Sequence, residues 1–138
     1  MITAVDSNVL IDVIGNPNEF TPVCVEALDV ALKSGPLIIC PIVVAETAAW
    51  FDSGEQLKAI YARMQIELVP FDWEDLYRAG QTYVRYCKRS RKPRERMLAD
   101  FLIAAHAFAH SDALLTRDRG YYRTYFPELK LVTPRRSD

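Results

Sequence analysis

The stretch AVDSNVLIDV (residues 4–13) decides the fold class, because it joins a short strand directly to a helical turn. Residues 2–6 (ITAVD) are typical of a first strand, and SNVLIDVI, which ends at the breaker GNPN, is typical of a helix. A simple core element would carry Val and Ile where this stretch carries Asp6, Asn8 and Asp12. Solvent exposure is one explanation for these polar side chains, and the rest of the chain tests it.

Strands and helices alternate along the rest of the chain. Apolar runs predict further strands at 37–40 (LIIC), 66–70 and 113–116, and 129–133 is the candidate for a fifth strand. Helices are predicted at 21–34, 41–51, 55–65, from 72 or 73 to about 87, and at 97–110. A strand such as LIIC has no polar residue, which is typical of a parallel strand covered on both faces. We therefore expect one domain over residues 1–138, a three-layer α/β/α sandwich around a parallel sheet of four to five strands.

Two of these helices have an apolar spacing that predicts their buried faces. The helix that starts at Thr21 and Pro22 carries such a stripe at Val25, Leu28, Ala31 and Leu32. The long helix after residue 72 carries one at Leu76, Ala79, Gly80, Tyr83, Val84 and Cys87. We expect both stripes to face the core.

Composition and charge narrow the class of protein. Half of the 138 residues are hydrophobic and a quarter are charged, and no apolar run approaches the roughly 20 residues that a membrane span needs. No signal peptide is recognisable, and Cys24, Cys40 and Cys87 are an odd number without a C-x-x-C pair, so we expect a cytoplasmic protein with reduced thiols. Residues 1–84 hold 4 Lys/Arg against 12 Asp/Glu, and residues 85–138 hold 13 against 6. This segregation predicts a basic face for a polyanion.

Four acids lie at strand ends or stand alone in apolar helices. Asp6 closes the first strand, Glu46 and Asp100 are the only charges in PIVVAETAAW and MLADFLIAAHAFA, and Asp118 follows the fourth strand in LLTRDRG. Ligands of parallel sheets bind at the carboxyl ends of strands, and a buried cluster of carboxylates needs a cation. Oxygen ligands predict Mg²⁺ or Mn²⁺, which suits hydrolysis of a phosphodiester.

These residues resemble the PIN-domain nucleases, and among them the VapC-type toxins of toxin–antitoxin pairs. VDSNVLID resembles the opening motif, and VVAE, LADFLIAAHA and LLTRDRGYY follow in the family's order over nearly the whole chain. The resemblance implies that Asp6, Glu46, Asp100 and Asp118 bind Mg²⁺ or Mn²⁺, and it also assigns supporting roles to Ser7, Asn8 and Thr116, with Asp12 as an accessory acid. It further implies an endoribonuclease acting on RNA, a homodimer, and inhibition by a VapB-type antitoxin whose tail covers the site.

Further clusters have both functional and structural interpretations. The segment KRSRKPRER (88–96) suits RNA phosphates or a solvated loop, and Arg117, Arg119 and Arg123 alternate with Tyr121, Tyr122 and Tyr125 in a pattern that suits base stacking or packing on the sheet. His106 and His110 lack the glutamate of a zinc motif, and Asp112 suits a turn, so we expect structural roles for them.

Other protein classes fit less well. A phosphoacceptor receiver domain needs an acidic pair after the first strand and an Asp that ends a middle strand, and neither is present. A haloacid-dehalogenase-type phosphatase needs a second Asp where Asn8 stands. A PIN-fold RNA-processing nuclease without an antitoxin and a catalytically idle PIN binding module remain open.

Overall fold

A computed structural model describes residues 1–89, 97–118 and 120–135 of the protein. At the centre of this part of the chain lies a five-stranded parallel sheet. Its strands are β1 (Thr3–Val5), β2 (Leu37–Ile39), β3 (Ile66–Leu68), β4 (Ala113–Leu115) and β5 (Leu131–Val132), in the order β3-β2-β1-β4-β5. All four neighbouring pairs run parallel. Strands β1, β2 and β4 are buried throughout, as expected for central strands covered on both faces. The predicted α/β fold with a parallel sheet is confirmed.

In the part of the chain that the structure describes, seven α-helices connect these strands. They are α1 (Ser7–Ile14), α2 (Thr21–Ser34), α3 (Pro41–Thr47), α4 (Gly54–Arg63), α5 (Trp73–Arg89), α6 (Leu98–His110) and α7 (Gly120–Tyr125), with a 3₁₀ turn at Ala48–Trp50. Each predicted helix is present, although the one predicted at 41–51 ends its α-helical part at Thr47. The short helix α7 was not predicted.

The predicted buried faces of α2 and α5 are partly wrong. In α2 the buried residues are Cys24, Leu28 and Ala31, and Val25 is exposed. In α5 the buried set is Asp75, Ala79, Thr82 and Tyr86, whereas Leu76 and Val84 are exposed. Helix α5 has apolar residues on two sides. The face that packs against α6 contains polar groups that are hydrogen bonded within the fold; Thr82 Oγ1, for example, donates to the carbonyl of Arg78 at 2.8 Å.

The connections place one crevice at the centre of the sheet. From β1 the chain passes to β2 and β3 on one side and then to β4 and β5 on the other, so the order reverses between β1 and β4. Ligand sites of open α/β sheets lie at the carboxyl ends of the strands beside this reversal. The register pairs Val5 with Leu115, so the next residues, Asp6 and Thr116, emerge side by side.

Among the residues that the structure describes, no helix is both long and apolar enough to cross a membrane.

Candidate active site

Asp6 is the buried acid at the centre of the crevice. Its backbone N–H donates to the carbonyl of Leu115 at 2.9 Å, which extends the ladder between β1 and β4 by one residue. The carboxylate is 6% exposed and accepts three hydrogen bonds: Oδ1 from the backbone N–H of Ser7 at 2.7 Å, and Oδ2 from the hydroxyls of Thr116 and Tyr122 at 2.7 and 2.9 Å. Three donors fix the carboxylate and leave part of its acceptor capacity for a ligand.

Burial raises the pKa of Asp6 above its usual range. The hydrogen bonds from Thr116, Tyr122 and Ser7 act in the opposite direction, and the negative charge of Asp100 raises the pKa further. The environment of Asp6 therefore penalises its own negative charge. A cation bound beside Asp6 and Asp100 would remove that penalty.

The hydroxyl of Thr116 joins Asp6 to the loop that follows β4. Thr116 Oγ1 donates to Asp6 and accepts from Asn8 Nδ2 at 3.3 Å and from the backbone N–H of Asp118 at 3.0 Å. Both acceptor positions and the single donor of the hydroxyl are used. Asn8 also accepts, at Oδ1, from the backbone N–H of Arg117 at 3.2 Å. The loop that carries Asp118 is thus tied to the first turn of α1.

Glu46 reaches the site through Ser7. Ser7 Oγ donates to Glu46 Oε1 at 2.6 Å, while the N–H of the same serine donates to Asp6. Glu46 itself is exposed on α3, so the argument that it is a lone acid in a buried helix is wrong. Helix α3 has seven residues, and the apolar residues around Glu46 cover two of its sides. The third side, which carries Glu46, faces solvent.

Asp100 lies in the first turn of α6 and is half-buried. Its Oδ2 accepts from the backbone N–H of Met97 at 3.2 Å, which caps the start of the helix. A carboxylate there is also favoured by the helix dipole. The negative charge of Asp100 raises the pKa of Asp6. Together with the hydrogen bonds described above, this shows that the structure brings the four acids, Thr116 and Asn8 to one end of the sheet.

The donors around Asp6 suit a hard divalent cation. They are carboxylate and amide oxygens, which Mg²⁺ and Mn²⁺ prefer. The nearby Cys40 supplies no thiolate at neutral pH, because burial and the charges of Asp6 and Glu46 raise its pKa to about 11. The residues present therefore fit Mg²⁺ or Mn²⁺ and not a soft metal.

The described residues hold a tighter group of potential ligands elsewhere. Asp72, Asp75 and His110 have ligand atoms within 4.8 Å of one another, whereas the four predicted acids form no such group. His110 Nε2 lies 2.7 Å from Asp75 Oδ2, which also accepts from the backbone N–H of Asp72 at 2.8 Å. These contacts start α5 and dock it on α6, so the fold itself accounts for this group.

Asp12 binds an arginine of the site loop. Asp12 Oδ2 lies 2.6 Å from Arg117 Nε, and the Arg117 guanidinium lies 4.2 Å from the ring centroid of Phe20. Asn18 Nδ2 also donates to Asp12 Oδ1 at 3.1 Å. Arg117 is thereby held by contacts within the fold, through its ion pair with Asp12 and its position over the Phe20 ring.

The tyrosines near the end of the chain also pack within the fold. Tyr122 is buried and donates to Asp6, and the Tyr125 ring lies 5.4 Å from that of Tyr86 and 5.7 Å from that of Phe101. Burial of Tyr122 agrees with packing, one of the two interpretations given for this residue, whereas its hydrogen bond to Asp6 was not predicted. The sequence offered just its position four residues after Asp118, since α7 itself was not predicted. Arg119 and the side chain of Tyr121 lie outside the described residues, as do residues 90–96 of the basic segment.

The remaining polar predictions have structural roles. His106 is buried with Nε2 2.8 Å from the carbonyl oxygen of Val69, and Asp112 accepts from the backbone N–H of Ile2 at 2.7 Å. Cys24, Cys40 and Cys87 are free thiols, as predicted.

Comparison with known proteins identifies the family. No curated protein sequence matches the chain significantly. Solved structures with the same fold include VapBC2 from Rickettsia felis bound to a promoter DNA fragment (TM-score 0.71, 21% identity, covering 96% of this chain and 98% of that one) and a toxin–antitoxin complex from Klebsiella pneumoniae (0.67, 20%, 96% and 98%). FitAcB from Neisseria gonorrhoeae is also similar (0.62, 26%, 97% and 98%). The sequence model of the PIN domain matches residues 3–127. This protein belongs to the PIN domain family.

Proposed function

We propose that this protein is a Mg²⁺- or Mn²⁺-dependent endoribonuclease and the toxin of a VapBC-type pair. The observation that supports it most directly is Asp6, a buried carboxylate at the carboxyl end of β1 whose pKa is raised by burial and by the charge of Asp100. A carboxylate whose environment disfavours its negative charge is stabilised in the charged form when a cation binds beside it. Membership of the PIN family and similarity to chains of toxin–antitoxin complexes support the nuclease and toxin assignments.

In this proposal Asp6, Glu46, Asp100 and Asp118 hold the cation. A bound Mg²⁺ or Mn²⁺ would supply positive charge for the phosphodiester in the transition state and would lower the pKa of water. Thr116 and Tyr122 keep the Asp6 carboxylate in one orientation, and Asn8 keeps the loop of Asp118 against α1. Such positioning matters because small displacements of catalytic groups cost large factors in rate.

The proposed partners follow from the family and from exposed apolar surface. We propose a homodimer, with Trp73, Leu76 and Val84 on the outer side of α5 in its interface, because large apolar groups exposed together mark interaction sites. We also propose a VapB-type antitoxin that covers the acids. One of the similar structures, from Klebsiella pneumoniae, is a toxin–antitoxin complex.

The test combines growth with purified enzyme. Expression of the wild type alone in a bacterial host should arrest growth, and Asp6→Asn or Asp118→Asn should relieve the arrest. The purified wild type should cleave RNA with Mg²⁺ or Mn²⁺, and both variants should lose orders of magnitude in rate. Asp29→Asn is the matched control, because Asp29 is exposed on α2, where its carboxylate lies 3.1 Å from Lys33 Nζ.

Different results would separate the alternatives. RNA cleavage without growth arrest would support a processing nuclease without an antitoxin. A protein that neither arrests growth nor cleaves RNA with either metal would be a binding module. Full activity of Asp6→Asn would show that the acids around Asp6 are not the catalytic centre.

A further inference from the structure

A groove of the described residues lies between α5 and the segment from α7 to Glu128. Its volume is about 600 Å³. Helix α5 forms one wall, and Thr124, Tyr125 and Pro127 form much of the other. Nothing in the proposed chemistry uses this groove.

The wall formed by α5 carries three arginines. Arg78, Arg85 and Arg89 line the groove, and no carboxylate of the described residues forms an ion pair with any of them. Arg85 uses one N–H to donate to Thr82 Oγ1 at 3.2 Å, and the Arg78 guanidinium lies 4.3 Å from the ring centroid of Phe108. Both contacts leave most N–H donors available. Unpaired guanidinium groups in a groove are suited to phosphates.

Aromatic rings lie among these cations. Tyr77, which is 65% exposed, lines the groove together with Phe108 and Tyr125. Exposed rings beside backbone-binding cations are the two elements of sites for single-stranded nucleic acid. Glu74 and Glu128 also line the groove, so the cations exceed the acids by one.

Helix α5, which lines the groove, packs against α6, which carries Asp100. Helices α5 and α6 run antiparallel, with Asp75 against His110 at one end and the rings of Tyr86 and Phe101 at 5.3 Å near the other. Arg85 and Arg89 flank Tyr86, and Phe101 follows Asp100, so the arginine-rich end of the groove is the end nearest the acids. From Arg78 to Arg89 the helix rises about 16 Å, the length of about five stacked nucleotides.

We propose that this groove, defined by Arg78, Arg85, Arg89 and Tyr77, binds single-stranded RNA on one side of the catalytic acids. The inference rests on the proposed nuclease function and names the surface that holds the substrate there. The arginines bind phosphates, and Tyr77 stacks on a base. An acidic protein segment would bind the same arginines, but it would not stack on the exposed Tyr77 ring.

Binding of a fluorescently labelled 12-nucleotide RNA, measured by anisotropy in EDTA at several salt concentrations, tests this proposal without cleavage. The double variant Arg78→Gln/Arg85→Gln should bind more weakly, and its slope of log affinity against log salt should be shallower by about 1.4, at about 0.7 per phosphate contact. Tyr77→Ala should weaken binding at least about fivefold. Glu128→Gln should strengthen it.

The matched control is Lys58→Gln/Arg63→Gln, which removes two exposed cations from α4 and should leave the slope unchanged. A double groove variant with the wild-type slope would overturn the proposal. So would displacement of RNA by a decaglutamate peptide that binds as tightly and depends on the same arginines, because the groove would then be an acidic-peptide site.

Cleavage by the wild type separates this inference from the proposed function. If the wild type binds RNA through the groove but cleaves none with Mg²⁺ or Mn²⁺, the nuclease assignment fails and the groove assignment stands. If the wild type cleaves RNA while the groove variants bind it normally, the groove assignment fails alone. A wild type that does not bind RNA would overturn both.

Discussion

The ion pair between Asp12 and Arg117 should respond asymmetrically to removal of its two charges. The Asp12 side chain is 6% exposed, whereas that of Arg117 is 34% exposed. After Asp12→Asn, the guanidinium can turn towards water. After Arg117→Gln, the carboxylate stays buried, and of the side-chain donors in the described residues it keeps Asn18 Nδ2 at 3.1 Å and Cys24 Sγ at 3.5 Å. Removing the arginine should therefore be the more damaging change.

The contacts set the size of the effect. Breaking a fully buried ion pair costs about 3–5 kcal/mol because one charge loses its partner. Partial exposure of Arg117 and the remaining donors to Asp12 reduce this, so we expect a loss of about 2 kcal/mol in unfolding free energy for Arg117→Gln and about 1 kcal/mol for Asp12→Asn. The double variant should lose only about 1 kcal/mol, since no buried charge is left unpaired.

Urea unfolding followed by circular dichroism measures these differences, and the melting temperature of Arg117→Gln should fall by about 8 °C. The same variant should also lose ribonuclease activity, because Arg117 holds the loop between Thr116 and Asp118. Arg123→Gln, an exposed change on α7, is the control. Equal losses for the two single variants, or a double variant that loses their sum, would refute the argument that the buried carboxylate is the sensitive partner.

Four further predictions concern Asp6, the bound metal, Tyr122 and the outer side of α5. Because the pKa of Asp6 is raised in the folded state, its contribution to stability is complete below pH 3.8 and is lost as the pH rises through the folded pKa. The unfolding free energy of Asp6→Asn in EDTA, relative to wild type, should therefore increase with pH over that window; a difference independent of pH would contradict this. At matched ionic strength, Mg²⁺ or Mn²⁺ should raise the melting temperature of the wild type but not that of Asp6→Asn. The unfolding free energy of the wild type should increase by about 2.7 kcal/mol at a metal concentration 100 times the dissociation constant. Tyr122→Phe should cost about 1.5 kcal/mol through the lost hydrogen bond to Asp6, whereas Tyr77→Phe, at an exposed site, should cost nothing measurable. Trp73, which is 88% exposed, should be buried in the proposed homodimer, so Trp73→Glu should give a monomer by sedimentation, and an unchanged dimer would place the interface elsewhere.

Much of the fold could be predicted because its signals are local. Buried parallel strands need short uninterrupted apolar runs, and LIIC and ALL supply them without help from distant residues. The helix starts at Pro41 and after Ser53 follow from the backbone limits of proline and from a side-chain cap, the latter seen as the hydrogen bond from the N–H of Gln56 to Ser53 Oγ at 3.0 Å. The faces of α2 and α5 could not be predicted as well, because apolar residues occur on more than one side of each helix and packing selects between them.

For the candidate site, the sequence by itself determined which acids follow strands and which stand alone in apolar helices, because these properties depend only on neighbouring residues. The tertiary structure decided the rest. The register of β1 and β4 places Thr116 beside Asp6 across 110 residues, and the unpredicted helix α7 brings Tyr122 to the same carboxylate. Packing also joined Asp12 to Arg117 and left Arg78, Arg85 and Arg89 along a groove. Such contacts depend on which elements become neighbours, and hydrogen bonds and ion pairs form only between groups that the completed fold has brought within about 3 Å.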